Sequence, residues 1–303
     1  MLNKFFSFVS NFLVVWVILL VILGYFFPKS FLFLRKYTDF LFFLTMFGIG
    51  AVLNFSDFKP IFRNFKVVFL GTLAQFLIMP FLGFIIAKFL KLKDLVALGV
   101  IIAGSVPGAM ASNVISYLAG ADVAYSIALT SLSTFLSPIL TPSFIYIFAH
   151  KIIKINFFEM FLSIIKMVIL PLILGLFIKA KFKKIEKINK FFPAFSSIFI
   201  AFICGLVVAL NKDYLKNITG LIFLAIFLHN LGGLILGYLS SKVYGFDKKR
   251  SRTLSIEVGM QNAGLGAVLA FKHFSSEVAI VPAFFATWCI ITASILARFW
   301  KRR

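Results

Sequence analysis

Stretches of about twenty apolar residues follow one another along the chain with only short polar interruptions. About twenty such residues is the length an α-helix needs to cross ~30 Å of hydrocarbon. The pattern predicts ten spans, near residues 5–27, 37–56, 65–90, 94–119, 121–149, 157–179, 191–211, 215–243, 251–272 and 277–299. The first is preceded by one lysine, Lys4, and lacks a small-residue cleavage site. It reads as a retained span and not as a removed signal peptide.

Composition agrees with the pattern. Hydrophobic residues make up 61% of the 303 and charged residues 14%, where a soluble domain is about a quarter charged because its surface must be solvated. The expected class is therefore an all-α, multi-pass membrane protein. The net charge of +21 raises the question of nucleic acid, but the basic residues sit in the connections between apolar segments. There the anionic lipid headgroups of a bilayer are the expected partner, and no nucleic acid is expected. An even number of spans puts both termini on one side. The segments on that side hold 19 lysines and arginines against 11 on the other, so both ends are expected in the cytoplasm. Cys204 and Cys289 lie inside apolar runs with no metal-ligand or redox spacing.

Five spans precede about residue 150 and five follow it. PGAMASNVISYLAGADVA from Pro107 and VGMQNAGLGAVLAFKHFSSEVA from Val258 align at a constant offset of 151, pairing Gly108 with Gly259, Leu118 with Leu269 and Ala119 with Ala270. Because five is odd, the second copy crosses the membrane in the opposite sense. Two inverted five-helix repeats are expected, with the fourth and ninth spans broken at these glycines. In secondary transporters, paired interruptions of this kind point to the binding site.

Polar groups at membrane depth are costly and need a reason. Ser112 and Asn113 follow the Pro107–Gly108 break, where freed backbone groups must line a cavity or bind something. A hard cation takes oxygen ligands of the kind such a break supplies. Ser126, Thr130 and Thr134 are spaced by four on the next span and are expected on one helix face; taken singly, hydroxyls so spaced also serve ordinary helix packing. Glu257 is the one carboxylate set well inside an apolar segment. At mid-membrane an unpaired ionised acid costs roughly 2.5–3.5 kcal/mol, so it must be protonated, paired or neutralised by a cation. The cation is the economical partner, with a shallow Glu257 beside Arg250 and Arg252 as the alternative. Gln261 and Asn262 follow the Gly259 break as Ser112 and Asn113 follow Gly108. Gln75 and His229 fit helix packing at least as well as ligation.

PGAMASNVISYLAGADVAYSIALTSLSTFLSP and EVGMQNAGLGAVLA resemble the bile acid:sodium symporter family, in its bacterial branch, and the resemblance covers essentially the whole chain. It implies a core domain from about 65–149 and 215–299, in which the broken fourth and ninth spans cross at mid-membrane, and a panel domain from about 5–56 and 157–211. It also implies two sodium ions behind a substrate cavity. The first sodium would be held by Ser112, Asn113, Ser126, Thr130 and Glu257. The second would be held by Gln75, Glu257, Gln261 and the carbonyls of Val258 and Met260. The activity implied is sodium-coupled symport of a small organic anion such as a bile acid, pantoate or a keto acid, in a bacterial cytoplasmic membrane. Proton coupling or uncoupled carriage is the nearest rival, and nothing in the sequence resembles an enzyme's catalytic pair.

The substrate side departs from the family. Met110 stands where related sequences often carry threonine, and Trp288, Cys289 and Ile290 stand where they often carry tryptophan, histidine and asparagine. Asn262, Met110 and Cys289 are the expected substrate contacts, in a pocket with fewer hydrogen-bonding side chains.

Overall fold

A computed structural model describes residues 6, 8–9, 12–182, 191–215 and 220–301. Lys4, Lys183, Lys184, Lys187, Lys190, Lys216, Arg302 and Arg303, all used in the charge comparison, lie outside the described residues. Among the described residues there is no strand. The principal helices are α1 (Leu13–Phe26), α2 (Thr38–Val52), α3 (Phe65–Phe89), α4 (Asp94–Ser105), α5 (Ala111–Leu118), α6 (Val123–Ala149), α7 (Phe157–Ile164), α8 (Leu170–Lys181), α9 (Phe191–Leu210), α10 (Gly220–Val243), α11 (Lys248–Gly259), α12 (Ala263–His273) and α13 (Ser276–Lys301).

Six described helices are long and apolar enough to cross a membrane: α3, α6, the continuous Phe157–Lys181 formed by α7 and α8, α9, α10 and α13. Leu13–Phe26 and Pro28–Val52 pass the same test together but are bent by 110° at the break between them. The predicted spans near 94–119 and 251–272 are each divided in two, α4 from α5 and α11 from α12. Within Phe157–Lys181 the turn Ile165–Ile169 is a π-helix. It precedes Pro171, whose nitrogen has no proton to give the carbonyl four residues back, and the wider turn absorbs that missing bond.

The chain divides into two compact units. One comprises Met1–Ser56 and Phe161–Asn217, and packs α1 on α9 and α2 on α8. Small residues let these helices approach to backbone contact. A methyl group on Gly50 would collide with the Leu172 carbonyl, and one on Gly175 with the Phe47 carbonyl.

The other unit comprises Asp57–Met160 and Ile218–Arg303. Its α3 shows how the polar pattern is used. Leu73, Leu77, Phe81 and Ile85, spaced by four, are exposed along a stripe that winds slowly about the axis, while Thr72, Gln75, Met79 and Gly83 are buried. In water this would be inside out; against lipid the apolar stripe faces hydrocarbon and the polar groups face protein. Four helices of this unit carry the two breaks. At the first, Val106 leaves α4 in an extended conformation; at the second, Met260 leaves α11 likewise. The breaks pair with each other: the amide of Ala109 donates to the Met260 carbonyl (3.1 Å) and that of Asn262 to the Pro107 carbonyl (2.7 Å). Gly108 and Gln261 thereby form an isolated antiparallel bridge. Each break satisfies backbone groups that the other has freed, as burial away from water demands.

Candidate cation site at the paired breaks

Glu257 sits in the last turn of α11, fully buried. Its Oε1 accepts a hydrogen bond from Ser112 Oγ (2.5 Å) and another from Ser126 Oγ, while Oε2 accepts from Thr130 Oγ1 at 3.0 Å. Asn113 Oδ1 lies 2.8 Å from Ser126 Oγ and 3.3 Å from Thr130 Oγ1. The serine of α5's first turn, the asparagine beside it, two hydroxyls of α6 and the carboxylate of α11 thus form one cluster.

Oxygens in this cluster outnumber protons. Ser112 Oγ also faces the Ala109 carbonyl at 2.6 Å and Thr130 Oγ1 at 3.4 Å. Thr130 Oγ1 also faces the Ser126 carbonyl at 2.9 Å. Three hydroxyl protons are shared among two carboxylate oxygens, an amide oxygen and two carbonyls, and a hydroxyl has one proton to give. The two nearby arginines are engaged elsewhere. Arg250 pairs with Asp122 (3.5 Å) and Asp247 (3.8 Å), and Arg252 donates to the Ala119 carbonyl (3.0 Å). Among the described residues neither forms an ion pair with Glu257.

A second set of oxygens adjoins the first. Gln75 Nε2 donates to Gln261 Oε1 (3.2 Å), and Gln261 Nε2 to the Val258 carbonyl (2.9 Å). Gln75 Oε1 is buried with no hydrogen-bond partner, an arrangement that costs about 1–3 kcal/mol unless something takes its place. Gly108 marks where this set meets the first. A Cβ built on it would lie 2.9 Å from Glu257 Oε2, 3.4 Å from Gln75 Nε2 and 3.6 Å from Gln75 Oε1. The bare backbone of Gly108 keeps that spot open. Oxygen-only donors with one carboxylate suit a hard cation of low charge, and no group of three or more His, Cys, Asp or Glu comes together among the described residues.

The expected face on α6 holds only in part. Ser126 and Thr130 reach the cluster, but Thr134 turns back to the Thr130 carbonyl (2.7 Å). At about 100° per residue, a residue eight positions on is displaced by about 80°, so spacing by four drifts off a fixed face. Two contributors were hidden in the sequence. Ser133 Oγ accepts from the Gly108 amide (3.3 Å), and Asn230 Nδ2 donates to the Gly259 carbonyl (2.9 Å) while its Oδ1 accepts from Thr292 (2.6 Å). Ser133 lies in a run of hydroxyls that spacing does not resolve, and Asn230 stands beside His229 in a segment read as packing. His229 itself packs, its Nε2 2.9 Å from the Met79 carbonyl.

Of the expected substrate contacts, Asn262 is half-buried and caps α12 through the Leu265 amide (3.2 Å). Met110 is half-buried at the start of α5. Cys289 is buried within α13, its thiol 3.5 Å from the Ala286 carbonyl.

Comparison with known proteins bears on this arrangement. The sequence profile of the sodium bile acid symporter family matches residues 39–218. An uncharacterized sodium-dependent transporter of Bacillus subtilis (strain 168) is 39% identical over 290 residues, covering 95% of this chain and 90% of that protein. A probable chloroplastic sodium/metabolite cotransporter of Arabidopsis thaliana is 34% identical over 297 residues, covering 97% of this chain and 74% of that protein. One of Oryza sativa subsp. japonica is 36% identical over 293 residues, covering 95% and 70%. With the profile matching more than half its length and these relatives at least 34% identical over 95% or more of it, the chain belongs to the sodium bile acid symporter family.

Proposed function

We propose that the protein is a sodium-coupled symporter that carries a small organic anion by alternating access. The observation that carries this reading is the cluster around Glu257: a buried carboxylate among oxygens that outnumber their protons, without a basic partner. A bound sodium ion would neutralise the charge and complete the coordination of Ser112, Asn113, Ser126 and Thr130. A second ion would use Gln75 Oε1, Gln261, Glu257 and the carbonyls of Val258 and Met260. Glu257 belongs to both sets, so one carboxylate serves both ions. The names of the relatives, sodium-dependent transporter and sodium/metabolite cotransporter, support the same coupling.

In this reading sodium holds the two paired breaks in the shape that accepts the anion beside Met110 and Asn262. The substrate is a bile acid, pantoate or keto-acid type of anion. Ten spans form two inverted repeats, with the unit of Asp57–Met160 and Ile218–Arg303 as the core and the other unit as the panel. The termini face the cytoplasm of a bacterial cell, with anionic lipids against the basic connections. If two sodium ions accompany one monovalent anion, one net charge moves inward. That yields ~2.3 kcal/mol at 100 mV, and a tenfold gradient of two ions adds ~2.8 kcal/mol. Together they support accumulation of roughly several thousand-fold.

The test is uptake of a panel of labelled organic acids into proteoliposomes, with and without an inward sodium gradient. Accumulation of one acid that needs sodium supports the proposal, and no sodium-dependent uptake by folded protein refutes it. Uptake driven equally by a proton gradient in sodium-free buffer would favour proton coupling through Glu257 instead.

A further inference from the structure

We infer that Arg252 and Thr253 of α11 are positioning residues that set the sodium affinity of the Glu257 cluster by clamping the far end of α5. The inference rests on the sodium reading above and deepens it.

The half-helix α5 has eight residues, below the ~12–15 at which an isolated helix becomes even marginally stable in water. Its first turn supplies Ser112 and Asn113, so their placement depends on what fixes the rest of α5. The far end closes on Gly120, whose positive φ of 61° is the left-handed conformation that helix C-terminal turns require. The Gly120 amide bonds to the Tyr117 carbonyl (3.1 Å) and the Ala121 amide to that of Ser116 (2.9 Å). The carbonyl of Ala119 is left over, and Arg252 Nη1 takes it at 3.0 Å. The guanidinium is buried and lies over the Trp300 ring, 5.7 Å from its centroid. A positive charge at a helix C-terminus is favourable, and a charged donor makes the stronger bond. Next to it, Thr253 Oγ1 accepts from the Asp122 amide (3.0 Å) and lies 3.0 Å from the Asp122 carbonyl.

α11 therefore grips α5 at both ends. Glu257 holds Ser112 at the near end, and Arg252 and Thr253 hold the turn after Leu118 at the far end. The grip is confined to one repeat. At the offset of 151, Arg252, Thr253 and Glu257 correspond to Ile101 and Ile102 of α4 and to Val106 just beyond its end, none of which carries a polar side chain. Clamp and carboxylate occur together on α11 and are absent together from α4. A rotation or slide of α5 by a fraction of an ångström changes the Ser112 and Asn113 oxygens relative to Glu257, with every ligand still present.

The experiment compares the full-length protein with Arg252→Gln, Arg252→Lys and Thr253→Val. Two readouts are taken: the sodium concentration giving half-maximal thermal stabilisation at constant ionic strength, with potassium as replacement, and hydrogen exchange of the amides of residues 111–119. The expected result for Arg252→Gln is a half-saturation raised about tenfold, the scale of one lost charge-assisted hydrogen bond, with faster exchange in 111–119. Arg252→Lys recovers part of both, and Thr253→Val moves both in the same direction by less. A structural role alone would lower the melting temperature with and without sodium and leave the half-saturation where it was; that outcome overturns the inference. If the unaltered protein shows no sodium-dependent stabilisation, the sodium reading falls and takes the affinity claim with it. Unchanged exchange in 111–119 shows instead that α5 is not clamped, which sinks the inference with the sodium reading intact.

Discussion

Replacing Glu257 by glutamine separates the charge of this residue from its hydrogen bonds. The amide oxygen of Glu257→Gln can still accept from Ser112 and Ser126. Its nitrogen would face Thr130 Oγ1, which can turn its proton to the Ser126 carbonyl 2.9 Å away and accept instead. Without sodium two changes oppose each other. The substitution removes the cost of an ionised acid at depth, about 2.5–3.5 kcal/mol, and lowers three hydrogen bonds from the roughly 1.5–3 kcal/mol each of a charged acceptor to the roughly 0.5–1.5 of a neutral one, a loss of about 1–1.5 kcal/mol each. Sodium-free stability is therefore expected to shift by only about 1 kcal/mol, the residue of that partial cancellation. Sodium binding should respond far more. A carboxylate 4 Å from a cation contributes about 4 kcal/mol at an effective dielectric constant of 20, close to a thousandfold in affinity. At a sodium concentration one hundred times the dissociation constant, each site stabilises the native protein by about 2.7 kcal/mol. A hundredfold weakening already cuts that to about 0.4 kcal/mol. Thermal melting in detergent, with sodium replaced stepwise by potassium, measures both quantities. Glu257→Gln should melt near the unaltered protein in potassium and gain almost nothing from sodium. A sodium shift of undiminished size in this variant would refute the assignment of Glu257, and identical curves in the two salts for the unaltered protein would refute sodium binding itself.

Gly108→Ala places a methyl group 2.9 Å from Glu257 Oε2; the expected outcome is a sodium half-saturation raised at least about tenfold, since 1.4 kcal/mol of crowding suffices for that, with circular dichroism unchanged. Gln75→Ala removes the partnerless Oε1 and leaves the Ser112–Thr130 cluster intact, so a sodium titration should keep the binding at that cluster and lose the binding proposed at the second set of oxygens. Asn230→Ala deprives the Gly259 carbonyl of its donor and Thr292 of an acceptor. It should lower stability by about 1–3 kcal/mol, nearly equally in sodium and in potassium, as thermal melting in the two salts will show.

Much of this protein is written locally. Runs of apolar residues must become helices in lipid, because no other open backbone satisfies its own hydrogen bonds there. Proline and glycine at Pro107–Gly108 and at Gly259 mark where two of those helices stop. A lone carboxylate in an apolar run is costly wherever the chain goes, so Glu257 is conspicuous before any fold is known. The charge it needs, and the oxygen-bearing residues that follow the breaks, can be named from one dimension because each is an exception to its own surroundings.

The tertiary structure decided which exceptions meet. Ser126 and Thr130 reach Glu257 and Thr134 does not, because α-helical rotation carries spacing by four off any fixed line. Ser133 and Asn230 serve the breaks, yet their immediate neighbours make them look like ordinary packing groups. The pairing of Gly108 with Gln261, between positions 153 residues apart, is a backbone contact that no side-chain pattern encodes. Arg252 reads locally as one more cytoplasmic arginine, and the Ala119 carbonyl and the Trp300 ring become its partners only in the folded chain. Sequence fixes the cost of each buried group, since that cost depends on the group and the depth of its helix. What offsets the cost is supplied by residues from other helices, and their arrival is decided by packing.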